Sequence, residues 1–253
     1  MSTSIRDALL EGDLSIVESK LDAGADIEEL DEDGDTPLLV CCTSNPTIEL
    51  INLLIDHGAN INAVNARGES PLLIAAKYKI GYLSEILLTH EPNVNLTSHD
   101  GTTPLYWAAY KKQVVLAKAL LRRGADPTIN PKNQENGTTL QWAVSTGDLE
   151  LVRTMVRLGA DIDAPGVLHA AIAQIPVLEY LIAQGADIDK KGNWGSTALH
   201  IAAYKCKHEA VKVLVANGAD ISAIDDQDRQ TPYEWAQEGG CVHKAILDLL
   251  NRA

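Results

Sequence analysis

Apolar residues recur along this chain with the spacing of an α-helix, in short segments that polar turns separate. In VVLAKALL (114–121) the apolar positions fall on one helical face, because a helix completes a turn about every 3.6 residues. Segments of this kind follow one another in pairs through most of the sequence. The pattern predicts an all-α protein in which each unit runs as turn, helix, short turn, helix and loop.

A first motif, Gly-Ala-Asp or Gly-Ala-Asn, marks the end of most units. Its glycines are 34, 66, 35, 26 and 33 residues apart, and the gap of 66 spans two units. Within that gap, THEPN (89–93) stands where a further copy of DHGAN (56–60) is expected. A glycine at this position can adopt a positive φ and so end the second helix. The motif begins at Gly24, Gly58, Gly124, Gly159, Gly185 and Gly218.

A second motif keeps the same period and marks the start of the first helix. Its leading Thr or Ser can cap a helix by accepting a backbone N–H, and the Pro that often follows suits the first helical turn. Paired small residues, such as Ala75–Ala76 and Ala108–Ala109, then allow neighbouring helices to pack closely. One such unit cannot bury its apolar face alone, so the units must stack into one core. The motif begins at Thr36, Ser70, Thr103, Thr138, Thr197 and Thr231.

The chain resembles the ankyrin-repeat family in three features. Its period is near 33 residues, its first helices begin with a motif of the Thr-Pro-Leu-His type, and Gly-Ala-Asp stands at the end of the second helix. The segment STALHIAAYKCKHEAVKVLVANGADISA (196–223) follows the family pattern throughout. The resemblance covers nearly the whole chain. It implies a solenoid of stacked antiparallel helix pairs with β-hairpin fingers, which binds partners through its fingers and the concave face of its first helices.

The markers divide the chain into about eight repeats, and no Pro/Gly/Ser-rich linker separates them, so one domain over 1–253 is predicted. The first repeat lacks a finger and the last lacks a following one, which is typical of terminal caps and favours a complete array. The approximate repeats are 3–29, 30–63, 64–96, 97–129, 130–163, 164–189, 190–223 and 224–253.

Two fingers depart from the common length. The segment from Gly124 to Leu140 is longer than its counterparts, whereas residues 160–167 form a finger that is nearly deleted. Pro176 is expected to start the second helix of the following short pair. Loops tolerate such changes without consequence. Alternatively, the resulting notch admits a partner or ligand, or changes the curvature of the solenoid.

Composition narrows the possible functions. The net charge of −14 disfavours nucleic acid as a partner, and no apolar run is long enough for a membrane span. The N-terminus has no signal-peptide pattern. The spacing of the four cysteines indicates no disulfide framework, which favours a reducing, intracellular compartment, cytoplasmic or nuclear. Cys41 and Cys42 replace the paired alanines and are expected to be small buried apolar residues.

Tyrosine and lysine recur together just after the paired small residues. By family geometry this position lies at the end of the first helix on the concave side. Tyr is common at interfaces because it combines a large apolar ring with a polar tip, and Lys adds positive charge to an acidic protein. A partner-binding surface is therefore predicted, although a solvated helix edge is the alternative. The candidate residues are Lys77, Tyr78, Tyr106, Tyr110, Lys111, Tyr204 and Lys205, with Trp194 added from a finger.

Other candidate sites are weaker. Trp107 and Trp142 occupy a normally apolar position and are expected to fill the core. The acidic loop DEDGD (31–35) lacks the full ligand pattern of a calcium loop. Cys206-x-His208 and Cys241-x-His243 are too tightly spaced for a usual zinc site. His169 and His200 stand where the family uses His for structural hydrogen bonds. No metal, cofactor or catalytic residue is therefore predicted.

The sequence thus predicts a non-enzymatic protein-interaction module or scaffold, expected to be a monomer, whose protein partner carries an acidic or amphipathic segment. The alternative is a small-molecule-binding protein or an enzyme with its site in the central notch. In that case Tyr106, Tyr110, Lys111, Gln141, His169 and His200 would converge, and a Tyr or His would act as the general acid or base.

Overall fold

The computed structural model describes residues 5–44, 47–133 and 137–251. Within these ranges the chain forms sixteen α-helices in eight consecutive antiparallel pairs, and no strand. The pairs are α1 (Ile5–Glu11) and α2 (Leu14–Asp22), α3 (Pro37–Ser44) and α4 (Ile48–Asp56), α5 (Pro71–Tyr78) and α6 (Gly81–Thr89), α7 (Pro104–Tyr110) and α8 (Val114–Arg122), α9 (Thr139–Thr146) and α10 (Leu149–Arg157), α11 (Val167–Ala171) and α12 (Ile175–Ala183), α13 (Ala198–Tyr204) and α14 (His208–Ala216), and α15 (Pro232–Glu238) and α16 (Lys244–Leu250).

The chain divides into two compact units, Met1–Asn133 and Gln134–Ala253. In the first unit α5 packs against α6 and α7, and α1 packs against α3. In the second unit α13 packs closely against α15, and α9 against α11. The helix pairs of each unit thus stack on their sequence neighbours, as a repeat architecture requires. The assignment of all eight repeats to one domain stays a prediction.

The predicted helix caps are present. The hydroxyls of Ser70, Thr103 and Thr138 accept the backbone N–H three residues later, which satisfies a donor that the helix itself leaves free. Thr231 forms a reciprocal capping box with Glu234. Pro176 lies in the first turn of α12, as predicted. These local bonds explain why the second motif fixes the helix starts.

Each Gly of the first motif adopts the left-handed backbone conformation that was predicted for it, and Gly58 has a φ of 94°. Glu91 occupies the equivalent position in THEPN, where it is exposed and has a φ of 50°. The left-handed region costs a residue with a Cβ roughly 1–2 kcal/mol.

The substitution Glu91→Gly is therefore expected to raise the free energy of unfolding by about 1 kcal/mol, because glycine accepts a positive φ without steric cost. Urea unfolding monitored by circular dichroism measures the change. In the control Gly58→Ala the same argument predicts a loss of about 1 kcal/mol. Equal stabilities for Glu91→Gly and the wild type would contradict the reasoning.

The cores are built from the apolar faces that the sequence indicates. Leu72, Leu73 and the pair Ala75–Ala76 are fully buried in the first unit. Cys41 and Cys42 are buried, as predicted, and are not disulfide-bonded, and burial raises the pKa of Cys41 to about 12. These two cysteines therefore act as apolar packing residues.

The fingers are tight turns between consecutive helix pairs. In several of them a backbone N–H bonds to the carbonyl four residues later, as from Ser98 to Thr102 over 3.0 Å. Neighbouring fingers of the first unit are joined by single backbone bonds, such as that from the N–H of His99 to the carbonyl of Arg67. The shortened finger leads directly into α11, which has only five residues and has Gly166 at its N-cap position instead of a Thr. Part of the lengthened finger, residues 134–136, lies outside the described residues.

The prediction that the cysteine spacing gives no disulfide was wrong for one pair. Cys206 and Cys241 form a disulfide whose Cα atoms are 5.4 Å apart. They are 35 residues apart, about one repeat, and each lies in the turn between the two helices of its repeat. Stacking brings equivalent turns of adjacent repeats together, which spacing alone did not reveal. The argument for a reducing compartment from the cysteines loses its support here.

Candidate functional site

Six predicted or neighbouring residues, which lie on α5 and α7 or directly follow α7, form one group in the first unit. Because the two helices pack side by side, their C-terminal ends bring tyrosines and lysines from two repeats together. We call this group the aromatic–lysine cluster. Its members are Lys77, Tyr78, Tyr106, Trp107, Tyr110 and Lys111.

Trp107 is the centre of the aromatic–lysine cluster. The ammonium nitrogens of Lys77 and Lys111 lie 5.3 and 5.6 Å from the centroid of its ring. Its indole N–H donates to the hydroxyl of buried Thr102 over 3.0 Å, which fixes the ring orientation. A cation within about 6 Å of an aromatic face is attracted to it. The prediction that Trp107 fills the core therefore misses its role, because the half-buried ring also supports two lysines.

Tyrosines extend the cluster from the core to the surface. Tyr106 is buried, with 4% of its surface exposed, and its ring stacks 6.1 Å from that of Tyr110. Tyr110 is 39% exposed and packs edge-on against Trp107 at 5.6 Å. Tyr78 is 56% exposed. The result is an amphipathic surface in which the rings of Tyr106, Trp107 and Tyr110 pack against one another.

The two lysines of the cluster differ in charge balance. Lys77 forms an ion pair with the largely buried carboxylate of Glu69. Lys111, which caps α7, has its ammonium 5.2 Å from the Tyr110 ring and forms no ion pair with a residue that the structure describes. Lys111 is therefore the residue through which the cluster presents positive charge.

In the second unit, the ends of α13 and α15 carry a smaller aromatic group. Tyr204 is 47% exposed and contacts Trp235 edge-on at 6.0 Å. Trp235 also contacts His200, and its indole N–H donates to Oδ2 of Asp225 over 2.8 Å. Trp235 did not figure among the candidates. A signal existed in the sequence, because Trp107, Trp142 and Trp235 each lie four residues after the Thr of the second motif.

Trp194 and Lys205, both predicted contact residues, line a cleft within the second unit. The cleft has a volume of about 290 Å³ and is bordered by α9, the shortened finger, α11 and α13. Gln141, Pro165 and His169 are among its other lining residues. We call it the Trp194–Lys205 cleft. It matches the position of the notch that the shortened finger predicted.

The histidines have structural partners, as predicted. Nε2 of His169 lies 2.9 Å from the carbonyl oxygen of Ser196, and Nε2 of His200 lies 3.0 Å from that of Gln230. Burial lowers the pKa of both rings, so they are neutral near pH 7. Of the residues expected to converge in an enzyme, Gln141 and His169 share the cleft, whereas Tyr106, Tyr110 and Lys111 belong to the first unit.

The described part of the chain forms neither the zinc site nor the calcium loop that the sequence was examined for. Cys206 and Cys241 are joined to each other, and the rings of His208 and His243 stack at 4.7 Å. No group of three or more Asp, Glu, His or Cys side chains within these residues is arranged to hold a metal ion. In the DEDGD loop, Asp31 instead accepts the backbone N–H groups of Asp33 and Asp35.

Comparison with known families gives the same architecture. The family model described as ankyrin repeats (3 copies) matches residues 5–97, 81–165 and 167–252. The chain belongs to the ankyrin-repeat family. This confirms the resemblance that the repeat motifs indicated.

Two curated proteins and one solved structure add detail. The serine/threonine-protein kinase TNNI3K of Mus musculus and that of Rattus norvegicus are each 35% identical to this chain over 85 residues, which is 30% of this chain and 10% of the kinase. The match therefore covers about a tenth of the length of these relatives. The ankyrin repeat domain of Bcl-3, a member of the IkappaB family, superposes with a TM-score of 0.59 and 21% identity, covering 98% of this chain and 97% of that one. This similarity shows the fold.

No helix in the described ranges combines the length and the apolar character that crossing a lipid bilayer requires.

Proposed function

We propose that the chain is a protein-interaction module that uses the aromatic–lysine cluster to bind a protein partner carrying an acidic or amphipathic segment. The observation that supports the proposal is the arrangement around Trp107. The ammonium groups of Lys77 and Lys111 and the rings of two tyrosines lie against it. The tyrosines are Tyr106, which is buried, and Tyr110, which is exposed, and Tyr78 adds a further exposed ring beside Lys77. Tyr and Trp side chains provide the anchor residues of many protein interfaces, and charged side chains beside them select the partner by its charge.

Charge supports the same type of partner. The chain as a whole is acidic, with a net charge of −14, whereas the cluster contains two lysines and only one of them is ion-paired with a described residue. An acidic segment approaching this surface gains from Lys111 and from the aromatic faces beside it. Nucleic acid is a poorer candidate, because its phosphates would meet a negatively charged protein.

A partner is expected to bind at least tenfold more weakly to the double variant Tyr110→Ala/Lys111→Glu, because an aromatic anchor and the unpaired charge are both removed. The partner is first trapped in lysate by a photo-crosslinking amino acid placed at position 110. Its affinity for wild type and variant is then measured by calorimetry, after equal thermal unfolding of both has been verified.

Val115 offers a matched crosslinking position. It lies on α8, the second helix of the same repeat, and is 82% exposed. A partner that crosslinks at 110 and not at 115 would support binding at the helix ends of the cluster. Equal crosslinking from both positions, or an unchanged affinity of the double variant, would contradict the proposal.

A small-molecule site in the Trp194–Lys205 cleft is a second candidate, favoured by the cavity that Gln141 and His169 border. The purified chain tests it by mass spectrometry of compounds released on denaturation. A compound retained by the wild type and lost in Gln141→Ala would support this candidate. An absence of any retained compound would favour the interaction module.

A further inference from the structure

The Trp194–Lys205 cleft exists where the finger of one repeat is shortened. Pro165 and Gly166, which remain of that finger, line the cleft together with Gln141 from α9. Gly166 has a φ of 85°, and a Cβ there would come within 2.6 Å of Nε2 of Gln141. The glycine thus permits both the sharp entry into α11 and the close approach of the Gln141 amide. This part of the cleft wall therefore consists of the backbone of Pro165 and Gly166 and the side-chain amide of Gln141.

Trp194 also lines the cleft, and its backbone is held in an unusual conformation. It is 67% exposed and has a φ of 60° and a ψ of 18°. Bulky residues rarely adopt a positive φ, and such conformations persist where surrounding bonds enforce them. Here the N–H of Asp226 donates to the carbonyl of Trp194 over 3.0 Å. An exposed indole is thus presented by a fixed turn, a combination that core packing does not require.

Lys205 supplies the charge of the cleft. It follows α13, is exposed, and forms no ion pair or side-chain hydrogen bond with a residue that the structure describes. Lys191, in the same finger as Trp194, is in contrast ion-paired with Asp226. Among the described residues that line the cleft there is no Asp or Glu. The described lining of the cleft thus carries one lysine and no acidic side chain, in a chain whose net charge is −14.

The size of the cleft limits its occupant. A volume of about 290 Å³ accommodates one or two side chains with their backbone, and is at the lower end of small-ligand sites. An indole face favours an aliphatic or aromatic side chain, an unpaired ammonium favours a carboxylate, and the Gln141 amide can both donate and accept hydrogen bonds to a peptide backbone.

We infer that the Trp194–Lys205 cleft is a peptide-binding site for an acidic segment, in which an Asp or Glu carboxylate meets Lys205 and a neighbouring apolar side chain lies against Trp194. The inference goes beyond the proposed function, since it gives the chain a second site for an acidic segment, formed by residues of the second unit and distinct from the aromatic–lysine cluster.

The test begins with a displayed library of random 12-residue peptides, selected in parallel on the wild-type chain and on Lys205→Glu. The wild type is expected to enrich peptides with Asp or Glu next to an aliphatic or aromatic residue, and Lys205→Glu is expected to lose them. Selected peptides are then made with a fluorophore, and their affinity is measured by anisotropy. Replacing the acidic residue of the peptide by its amide is expected to weaken binding at least tenfold.

Matched variants separate the cleft from general charge effects. Lys205→Glu and Trp194→Ala are each expected to weaken peptide binding at least tenfold, whereas Lys207→Glu, which changes the charge equally at an exposed position outside the cleft, is expected to stay within twofold. Because Trp194→Ala could disturb its turn, the indole ¹H–¹⁵N signal of Trp194 in the wild type provides a second readout. Peptide binding is expected to shift it, and Trp194→Phe assigns it.

The outcomes distinguish the inference from the proposed function. Peptides whose affinity is unchanged by Lys205→Glu and Trp194→Ala, but falls for Tyr110→Ala/Lys111→Glu, would overturn the cleft inference. The proposed interaction module would still be supported by that result. A library that yields no peptide, or only neutral or basic peptides, would also overturn the inference. The proposed function would then be judged by the crosslinked partner alone.

Discussion

Reduction of the Cys206–Cys241 disulfide is expected to lower the free energy of unfolding of the second unit by about 4 kcal/mol. The bond joins the turn between α13 and α14 to the turn between α15 and α16, across a sequence separation of 35 residues. Closing a loop of this length removes conformational entropy from the unfolded chain, and the stated figure is that loss at room temperature.

Urea unfolding with and without a reductant measures the difference. The double variant Cys206→Ser/Cys241→Ser serves as the control, because its stability should be independent of the reductant and close to that of the reduced wild type. Thiol labelling of the denatured chain checks the bond itself: Cys41 and Cys42 react without reduction, and all four cysteines react after it. Four reactive thiols before reduction, or identical unfolding curves, would contradict the prediction.

The fold could be predicted from the sequence because its signals are local. The hydroxyl of Thr103 caps α7 through a bond within three residues, and Gly58 ends its helix through its own φ. Each signal depends on chemistry inside one repeat and recurs at a fixed period, so even the degenerate Glu91 could be placed in register. These local signals do not determine how the repeats stack, and the resemblance to the ankyrin-repeat family predicted that arrangement.

The candidate site could be predicted only in part, because its geometry depends on contacts between repeats. Tyr110 and Lys111 were recognisable as residues that packing does not need. The position of Trp107 was also known, but its role depends on Lys77, which approaches the ring from the preceding repeat. The pairing of Cys206 with Cys241 likewise depends on which turns stacking brings together.

Asp225 illustrates a third kind of missed residue, a buried charge whose function is structural. Nothing in the sequence separates it from the neighbouring exposed acids Asp226 and Asp228. In the structure it is only 2% exposed and accepts four hydrogen bonds within its finger and from α15. It therefore organises the last finger and fixes the ring of Trp235.

The substitution Asp225→Ala is expected to destabilise the second unit by about 2 kcal/mol, because it leaves four part-buried donors without their acceptor. These donors are the backbone N–H groups of Gln227, Asp228 and Gln230 and the indole N–H of Trp235. Urea unfolding followed by tryptophan fluorescence measures the loss. The exposed neighbour gives the control, since Asp228→Ala should change stability by less than about 0.5 kcal/mol. Similar losses in the two variants would contradict the assignment.

The same carboxylate predicts how stability depends on pH. Burial acts to raise the pKa of Asp225, but the hydrogen bonds from Asp228, Trp235, Gln227 and Gln230 outweigh it and lower the pKa from 3.8 to about 2. Because the folded-state pKa lies below that of the unfolded chain, the contribution of Asp225 is complete above about pH 4 and is lost as the pH falls towards 2.

The uncharged variant Asp225→Asn isolates this contribution, since its residue 225 does not titrate. The stability difference between wild type and Asp225→Asn is expected to be constant at about pH 5 to 7 and to shrink steadily as the pH falls from 4 to 2, within the range set by the pKa of about 2. Urea unfolding at intervals across this range gives the difference directly. A difference that stays constant down to about pH 2 would mean that the charge of Asp225 is not what holds the finger, and that its shape alone accounts for the loss in Asp225→Ala.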